Sequence, residues 1–218
     1  MAIALRSSAE ANTASDTTHT VTAPSGAASG DVLVGFWYCA TTDDWTGPGG
    51  WTSALAVNDA VYGSFIVARK ILSAAPDATY AATTTGAVDS WGIITAWTGA
   101  NTTTPEDVSA ASSTASDPYP APSLTTATDG AAMICFYGEN ASPETGTKAG
   151  TQTLIDDGTN AGVSYLASYE LRATAGTTGT KAITGWSGSA QCASYALRPA
   201  AAAATAVPNA AMLMGIGI

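Results

Sequence analysis

The chain has 218 residues, of which 46% are hydrophobic and only 11% are charged, and its formal net charge is −10. This acidic excess, with few and scattered basic residues, weighs against binding of nucleic acid or anionic lipid, because no cationic surface can form. No run approaches the ~18 apolar residues of a membrane helix, and residues 1–8 lack the apolar segment of a secretory signal.

Apolar residues alternate with small polar ones along most of the chain, a pattern typical of half-buried β-strands rather than helices. Clusters of Gly, Pro, Asn and Asp separate these segments and indicate turns. About a dozen short strands joined by turns predict an all-β fold, an antiparallel β-sandwich. In chain order, we predict strands at 3–8, 17–23, 32–40, 51–56, 62–72, 79–84, 90–98, 131–137, 151–155, 163–171, 180–184 and 190–197.

Three segments recur in the same order at a nearly constant spacing, which indicates two homologous halves. Residues 30–37 are echoed by 129–136, residues 64–68 by 164–168, and residues 91–97 by 191–197, at offsets of 99, 100 and 100. If the two halves share one core, the expected fold is a jelly-roll-like sandwich built from two pseudo-repeated halves.

We predict a single sandwich domain over residues 1–199, with halves at about 17–100 and 123–199. The polar connector 101–122 is either an interdomain linker or a crossover laid across one sandwich. We favour the crossover, because five or so strands in each half are few for an independent sandwich.

The Ala-rich C-terminal tail, residues 200–218, ends in an apolar tip. Exposed apolar groups gain free energy by burial. The tail is therefore folded onto its own domain, simply disordered, or an arm that docks in a groove or adds a strand to a neighbouring subunit. Docking makes the tip a candidate partner-contact arm, with contact residues Met212, Leu213, Met214, Ile216 and Ile218.

The sequence displays no pattern of reaction chemistry, and we expect no catalytic residue, metal site or cofactor. His19, the single histidine, lies in an alternating Thr-rich stretch and is predicted to lie on a strand surface. The carboxylate pairs at 43–44, 106–107 and 156–157 fall in predicted loops, where solvated turn residues are the default and calcium at one loop remains open. The three cysteines lack the spacing of metal ligands and are predicted to be buried free thiols.

The tryptophans divide into two groups. Trp37, Trp91 and Trp97 lie in the most apolar predicted strands, where core packing explains them. Trp45 and Trp51 flank the Gly-rich turn at 47–50 and are candidate glycan-stacking residues, because an exposed indole can stack on a sugar ring.

Several motifs together resemble a broad group of β-sandwich proteins encoded in the structural regions of tailed bacteriophages and prophages. They are Gly-Asp-Val-Leu-Val at 30–34, Pro-Gly-Gly-Trp at 48–51, Ser-Phe-Ile-Val-Ala-Arg-Lys at 64–70, Trp-Gly-Ile-Ile-Thr-Ala-Trp-Thr-Gly at 91–99 and Ser-Tyr-Ala-Leu-Arg-Pro at 194–199. The second half departs from the pattern, since it lacks a Gly-Trp corner. The resemblance covers most of residues 17–199.

The resemblance implies a virion component and transfers no catalytic residues. We expect a non-enzymatic capsid decoration or minor head protein that is made in the host cytoplasm and incorporated into the virion. Its expected partners are the major capsid protein or neighbouring copies, and it is expected to be oligomeric on the particle. The alternative is a tail-associated receptor- or carbohydrate-binding module that uses Trp45 and Trp51.

Overall fold

A computed structural model describes residues 2–140, 145–160 and 162–201. Within them every regular element is a β-strand. The strands are β1 (Ala4–Thr22), β2 (Val32–Cys39), β3 (Trp45–Thr46), β4 (Thr52–Asp59), β5 (Gly63–Ile71), β6 (Thr79–Thr98), β7 (Glu106–Thr114), β8 (Tyr119–Ala121), β9 (Thr125–Thr126), β10 (Ala132–Asn140), β11 (Thr153–Asn160), β12 (Val163–Leu171), β13 (Gly176–Thr177), β14 (Lys181–Ile183) and β15 (Ser189–Leu197).

Two antiparallel sheets pack face to face, which confirms the predicted sandwich. The first sheet has the strand order β1-β6-β2-β5-β4, with β3 added to β6, and the second has the order β7-β15-β10-β12-β11. Each half of the chain therefore builds one complete sheet, and the chain passes between the two large sheets once, from β6 to β7. In a jelly roll the strands alternate between the two sheets. Because each half of this chain stays in one sheet, its connectivity is not that of a jelly roll.

The strand pairing repeats with the sequence. Val32 pairs with Ile71 in the first sheet, and Ala132 pairs with Leu171 in the second, 100 residues later. The bulge opposite β5 in strand β4 has its counterpart opposite β12 in strand β11. The offset of 99 for the first motif is corrected to 100, which makes Gly30 and Gly130 equivalent, and both have positive φ, 89° and 77°.

The central core lies between the sheets and takes side chains from both halves. Phe36 of β2 stacks on Phe136 of β10, with ring centroids 5.1 Å apart and an interplanar angle of 2°. Trp91 of β6 stacks on Tyr165 of β12 at 3.8 Å. These aromatic contacts join the two halves into one hydrophobic interior.

The outer faces of both sheets are also largely covered. Trp37 and Leu33 pack in a cluster outside the first sheet, beneath Trp45 and Trp51. Outside the second sheet, β8 and β14 pair with each other and bury Tyr119 and Ile183 in a third cluster. Strands β2 and β10 are consequently buried on both faces, which explains their continuous apolar sequences.

Several strands differ from the sequence prediction, and the short strands β3, β8, β9 and β13 were not predicted. β1 and β6 each run continuously where two short strands were predicted, because they pair with each other almost end to end across bulges near Ser15. β7 lies inside the predicted connector 101–122 and pairs with β15 at the edge of the second sheet. Its Ser- and Ala-rich, half-buried residues show no clear alternation.

Candidate functional site

Trp45 is half-buried and packs against the protein. Its ring lies 4.8 Å from the ring of His19, and its Nε1 donates a hydrogen bond to Ser64 Oγ at 3.2 Å. Part of the indole is therefore in contact with His19 and shielded from solvent.

Trp51 is also half-buried. It makes edge-to-face contacts with Trp37 at 5.6 Å and with Tyr80 at 5.1 Å. Trp45 and Trp51 thus both belong to the cluster outside the first sheet. Their packing within the protein accounts for both residues, and their use in glycan stacking stays a prediction.

His19 is 2% exposed, which corrects the prediction that it lies on a strand surface. Its Nε2 lies 2.8 Å from Thr84 Oγ1, and its Nδ1 contacts Ser90 Oγ. Both ring nitrogens are therefore engaged by hydroxyl groups, and Ser90 is itself 3% exposed. The cluster is therefore a buried polar network that ties β1 to β6.

This environment predicts a pH-dependent stability. Burial lowers the pKa of His19, although the charges of Asp16 and Asp43 oppose the shift. The unfolded chain then binds the proton more readily, so the contribution of His19 to stability is complete above about pH 6.5 and declines as the pH falls toward the folded-state pKa. We expect urea unfolding of the wild type to show a larger loss of stability between about pH 7 and about pH 5.5 than His19→Gln does. Equal losses in the two proteins would contradict this role.

The carboxylate pairs have structural partners. Asp43 accepts hydrogen bonds from the backbone nitrogens of Thr85, at 2.8 Å, and Gly86, at 3.0 Å. Burial alone would raise the pKa of Asp43, but the hydrogen bonds from Thr85 and Gly86 outweigh it and lower the pKa. Asp43 therefore anchors the loop before β3 to strand β6.

The other two pairs lie in strands, not in the predicted loops. In β7, Glu106 forms an ion pair with Arg69, and the adjacent Asp107 lies 3.1 Å from Arg198. In β11, burial raises the pKa of Asp156, and the nearby charge of Glu10 raises it further. Neither pair is a solvated turn.

All three cysteines are free and buried, as predicted. Burial raises the pKa of the Cys135 thiol to about 11, and that of Cys192 is also raised, first by burial and then by the charge of Cys135. Cys135 and Cys192 therefore pack as small apolar residues.

The clearest surface concavities lie at one end of the sandwich, called here the exit end, where β6 and β15 finish. Ala100 pairs with Pro199 there, and Ala200 N donates to Gly99 O at 2.8 Å. The chain reaches its last described residue, Ala201, at this end. Two grooves flank Ala200.

The apolar groove has a volume of about 450 Å³ and is lined chiefly by Ala2, Ile3, Leu171, Ala173, Pro199 and Ala200. The polar groove has a volume of about 330 Å³, and its lining includes Arg6, Ser29, Asp31 and Thr102. Arg6 and Asp31 form a salt bridge at 2.7 Å in the polar groove. The apolar groove is therefore the best candidate site for a hydrophobic partner.

Sequence reasoning did not find the apolar groove. Its walls come from the residues just before β1, the turn before β10, the end of β12 and the segment after β15, which are distant in sequence. The predicted contact residues of the tail, Met212, Leu213, Met214, Ile216 and Ile218, lie outside the described residues.

Fold and site together define an antiparallel β-sandwich with a hydrophobic groove beside the C-terminal exit of the described chain. No family model, curated protein or solved structure matches the chain. Across residues 2–140, 145–160 and 162–201, no helix is long and apolar enough to cross a membrane. The same part of the chain contains no group of three or more His, Cys, Asp or Glu residues placed to hold a metal ion.

Proposed function

We propose that this chain is a structural protein of a bacteriophage particle, a capsid decoration or minor head protein that binds neighbouring subunits and stabilises the particle. The basis of this assignment is the motif resemblance to phage structural sandwiches, which covers most of residues 17–199. The observation that carries it is the exit end, where a hydrophobic groove lies beside the point at which the apolar tail begins.

The rest of the molecule suits such a role. The sheets share an aromatic core, and further clusters cover their outer faces. A sandwich packed in this way offers a rigid body, and only its peripheral segments are needed for attachment. Subunit contacts then favour the assembled particle by mass action, because binding stabilises the bound form.

The alternative, a carbohydrate-binding module, would use Trp45 and Trp51. Their rings pack on His19, Trp37 and Tyr80, which leaves less of each indole for a sugar. This packing favours the structural role over glycan binding.

The copy number of the chain on purified particles tests the proposal. We expect the full chain to sediment with particles and a chain ending at residue 207 to be depleted at least about tenfold, because the lost apolar tip removes several kcal/mol of burial. Asn209→Ala, a polar change in the same tail, is the matched control and should sediment normally. Absence of the full chain from particles would reject the proposed function, whereas an unchanged copy number after truncation would reject the role of the tail.

A further inference from the structure

The two long sides of the sandwich, where the sheets end, differ in charge. On one side the edge strand β4 of the first sheet contacts the edge strand β7 of the second, and on the other side β1 contacts β11. On the β4–β7 side, Arg69 of the first sheet forms an ion pair with Glu106 of the second. Opposite charges therefore join the two sheets on that side.

The β1–β11 side carries two carboxylates on the inner faces of the sheets. Glu10 pairs with Ile93, a residue of the central core, and residues paired across an antiparallel ladder share one face of their sheet. Asp156 pairs with Ala167, which also belongs to the central core. Glu10 is exposed and Asp156 is half-buried. The two acidic side chains therefore extend toward each other from opposite sheets.

The internal repeat contains an uncharged version of this pair. Leu55 of β4 is the counterpart of Asp156, and Ala111 of β7 is the counterpart of Glu10, because their ladder partners are 100 residues apart. Leu55 and Ala111 both pack against the central core. The same place in the fold thus accommodates an apolar pair, and the two carboxylates are a property of the β1–β11 side alone.

No basic side chain offsets these carboxylates in the part of the chain that the structure describes, where the ion pairs engage Asp31, Asp77, Glu106, Asp107 and Glu170. The titratable groups around Asp156 are Glu10 from β1, Tyr165 from β12 and Asp157 from its own strand. Burial raises the pKa of Asp156, and the charge of Glu10 raises it further, although Asp157 N donates a hydrogen bond to Asp156 Oδ1 at 3.0 Å. Burial and the same two charges also raise the pKa of Tyr165.

We propose that Glu10 and Asp156 form a latch that closes in acid along the β1–β11 side of the sandwich. At neutral pH both carboxylates are charged, and their repulsion loosens this side. Uptake of one proton makes one of the two groups neutral and ends the repulsion. The latch is a property of the single chain and goes beyond the proposed function.

The direction of the pH dependence follows from proton binding. Because the folded chain binds the proton at Asp156 more readily than the unfolded chain does, the contribution of the pair to stability is complete below about pH 4. It is lost as the pH rises through the folded-state pKa. The contribution of His19 has the opposite sign, since it is lost as the pH falls, so each variant is compared with the wild type at the same pH.

Urea unfolding of Asp156→Asn tests the latch. At about pH 7 the unfolding equilibrium constant should fall about two- to fivefold relative to the wild type, the usual effect of removing like charges that face each other in sheets. At about pH 4 this advantage should disappear, because the wild-type pair is then protonated. Glu10→Gln should act in the same way. The double variant should gain less than the sum of the two, because either single change already ends the repulsion.

Asp157→Asn is the matched control. Asp157 follows Asp156 on β11 but pairs with Leu166, which lies in the cluster outside the second sheet, so its side chain is on the other face. Its effect should add fully to that of Glu10→Gln. Hydrogen exchange at about pH 7 locates the change: amides of β1 and β11 should exchange more slowly in Asp156→Asn than in the wild type, and those of β4 and β7 should change less.

The inference is overturned by an identical pH dependence of stability in the wild type and in Asp156→Asn. Full additivity of Glu10→Gln and Asp156→Asn would also overturn it, because the two carboxylates would then not interact. A lower stability of Asp156→Asn at about pH 7 would do the same, since the charged carboxylate would then be stabilising.

Discussion

Phe136→Ala is expected to lower the free energy of unfolding by about 3–5 kcal/mol, the usual cost of deleting a buried aromatic ring. Phe136 is fully buried on β10, and its ring stacks on Phe36 of β2 at 5.1 Å. These are the middle strands of the two sheets, so the cavity would open where the halves meet. The close packing there leaves few neighbours free to collapse into the space.

Urea unfolding followed by tryptophan fluorescence measures this loss. Phe36→Ala should cost a similar amount, and the double variant less than the sum, because the two cavities merge. Val61→Ala is the surface control, since Val61 is 60% exposed, and it should change stability by no more than about 0.5 kcal/mol. A loss below about 1 kcal/mol for Phe136→Ala would show that the stack does not hold the sheets together.

Gly138→Ala is expected to destabilise the protein by about 1–3 kcal/mol, although it adds only one methyl group. A Cβ atom at Gly138 would lie 2.4 Å from Cγ of Tyr38. The Tyr38 ring is fully buried, and its hydroxyl donates to Tyr62 O at 3.1 Å, so the ring cannot easily withdraw. The absence of a side chain at residue 138 creates the space that Tyr38 fills.

Gly150→Ala is the matched control for this change. A Cβ at Gly150 meets no atom within 4 Å, and the residue is exposed. The stability of the Gly150→Ala protein should therefore stay near that of the wild type. Thermal and urea unfolding of the two variants provide the comparison. If both alanines have the same effect, the cost does not come from the clash with Tyr38.

The same size complementarity explains how the halves can differ while they keep one register. A Cβ at Gly35 or Gly92 would lie 2.4 or 2.5 Å from the ring of Trp37. In the second half the corresponding three positions carry Cys135, Cys192 and Tyr137. In the second half the smaller ring of Tyr137 is therefore accompanied by cysteines in place of glycines. The volume outside each sheet is filled by different residues on equivalent strands.

The strand pattern predicted the sandwich and much of its interior because it depends on local alternation. The tryptophans at 37, 91 and 97 are fully buried, as their apolar surroundings indicated. Strand β7 was not predicted, because the two faces of an edge strand of Ser and Ala differ little in hydrophobicity. The burial of His19 was missed because the side chain that covers it, Trp45, lies outside its strand and reaches it only through tertiary folding.

The candidate site was even less accessible to sequence reasoning. The apolar tip of the tail could be predicted as a contact segment, because its apolar residues are contiguous in the sequence. The groove could not be predicted, because Ile3, Leu171 and Pro199 lie in separate segments and none of them is distinctive there. Only their meeting at the exit end creates a hydrophobic concavity.

The sequence alone determined the all-β class, the duplicated halves and the apolar interior, because alternation and repetition are properties of neighbouring residues. The tertiary structure decided that each half forms a whole sheet, which side chains cover His19, and where the apolar groove lies. Those features depend on contacts between segments that are far apart along the chain, and such contacts exist only once both sheets close on the shared core.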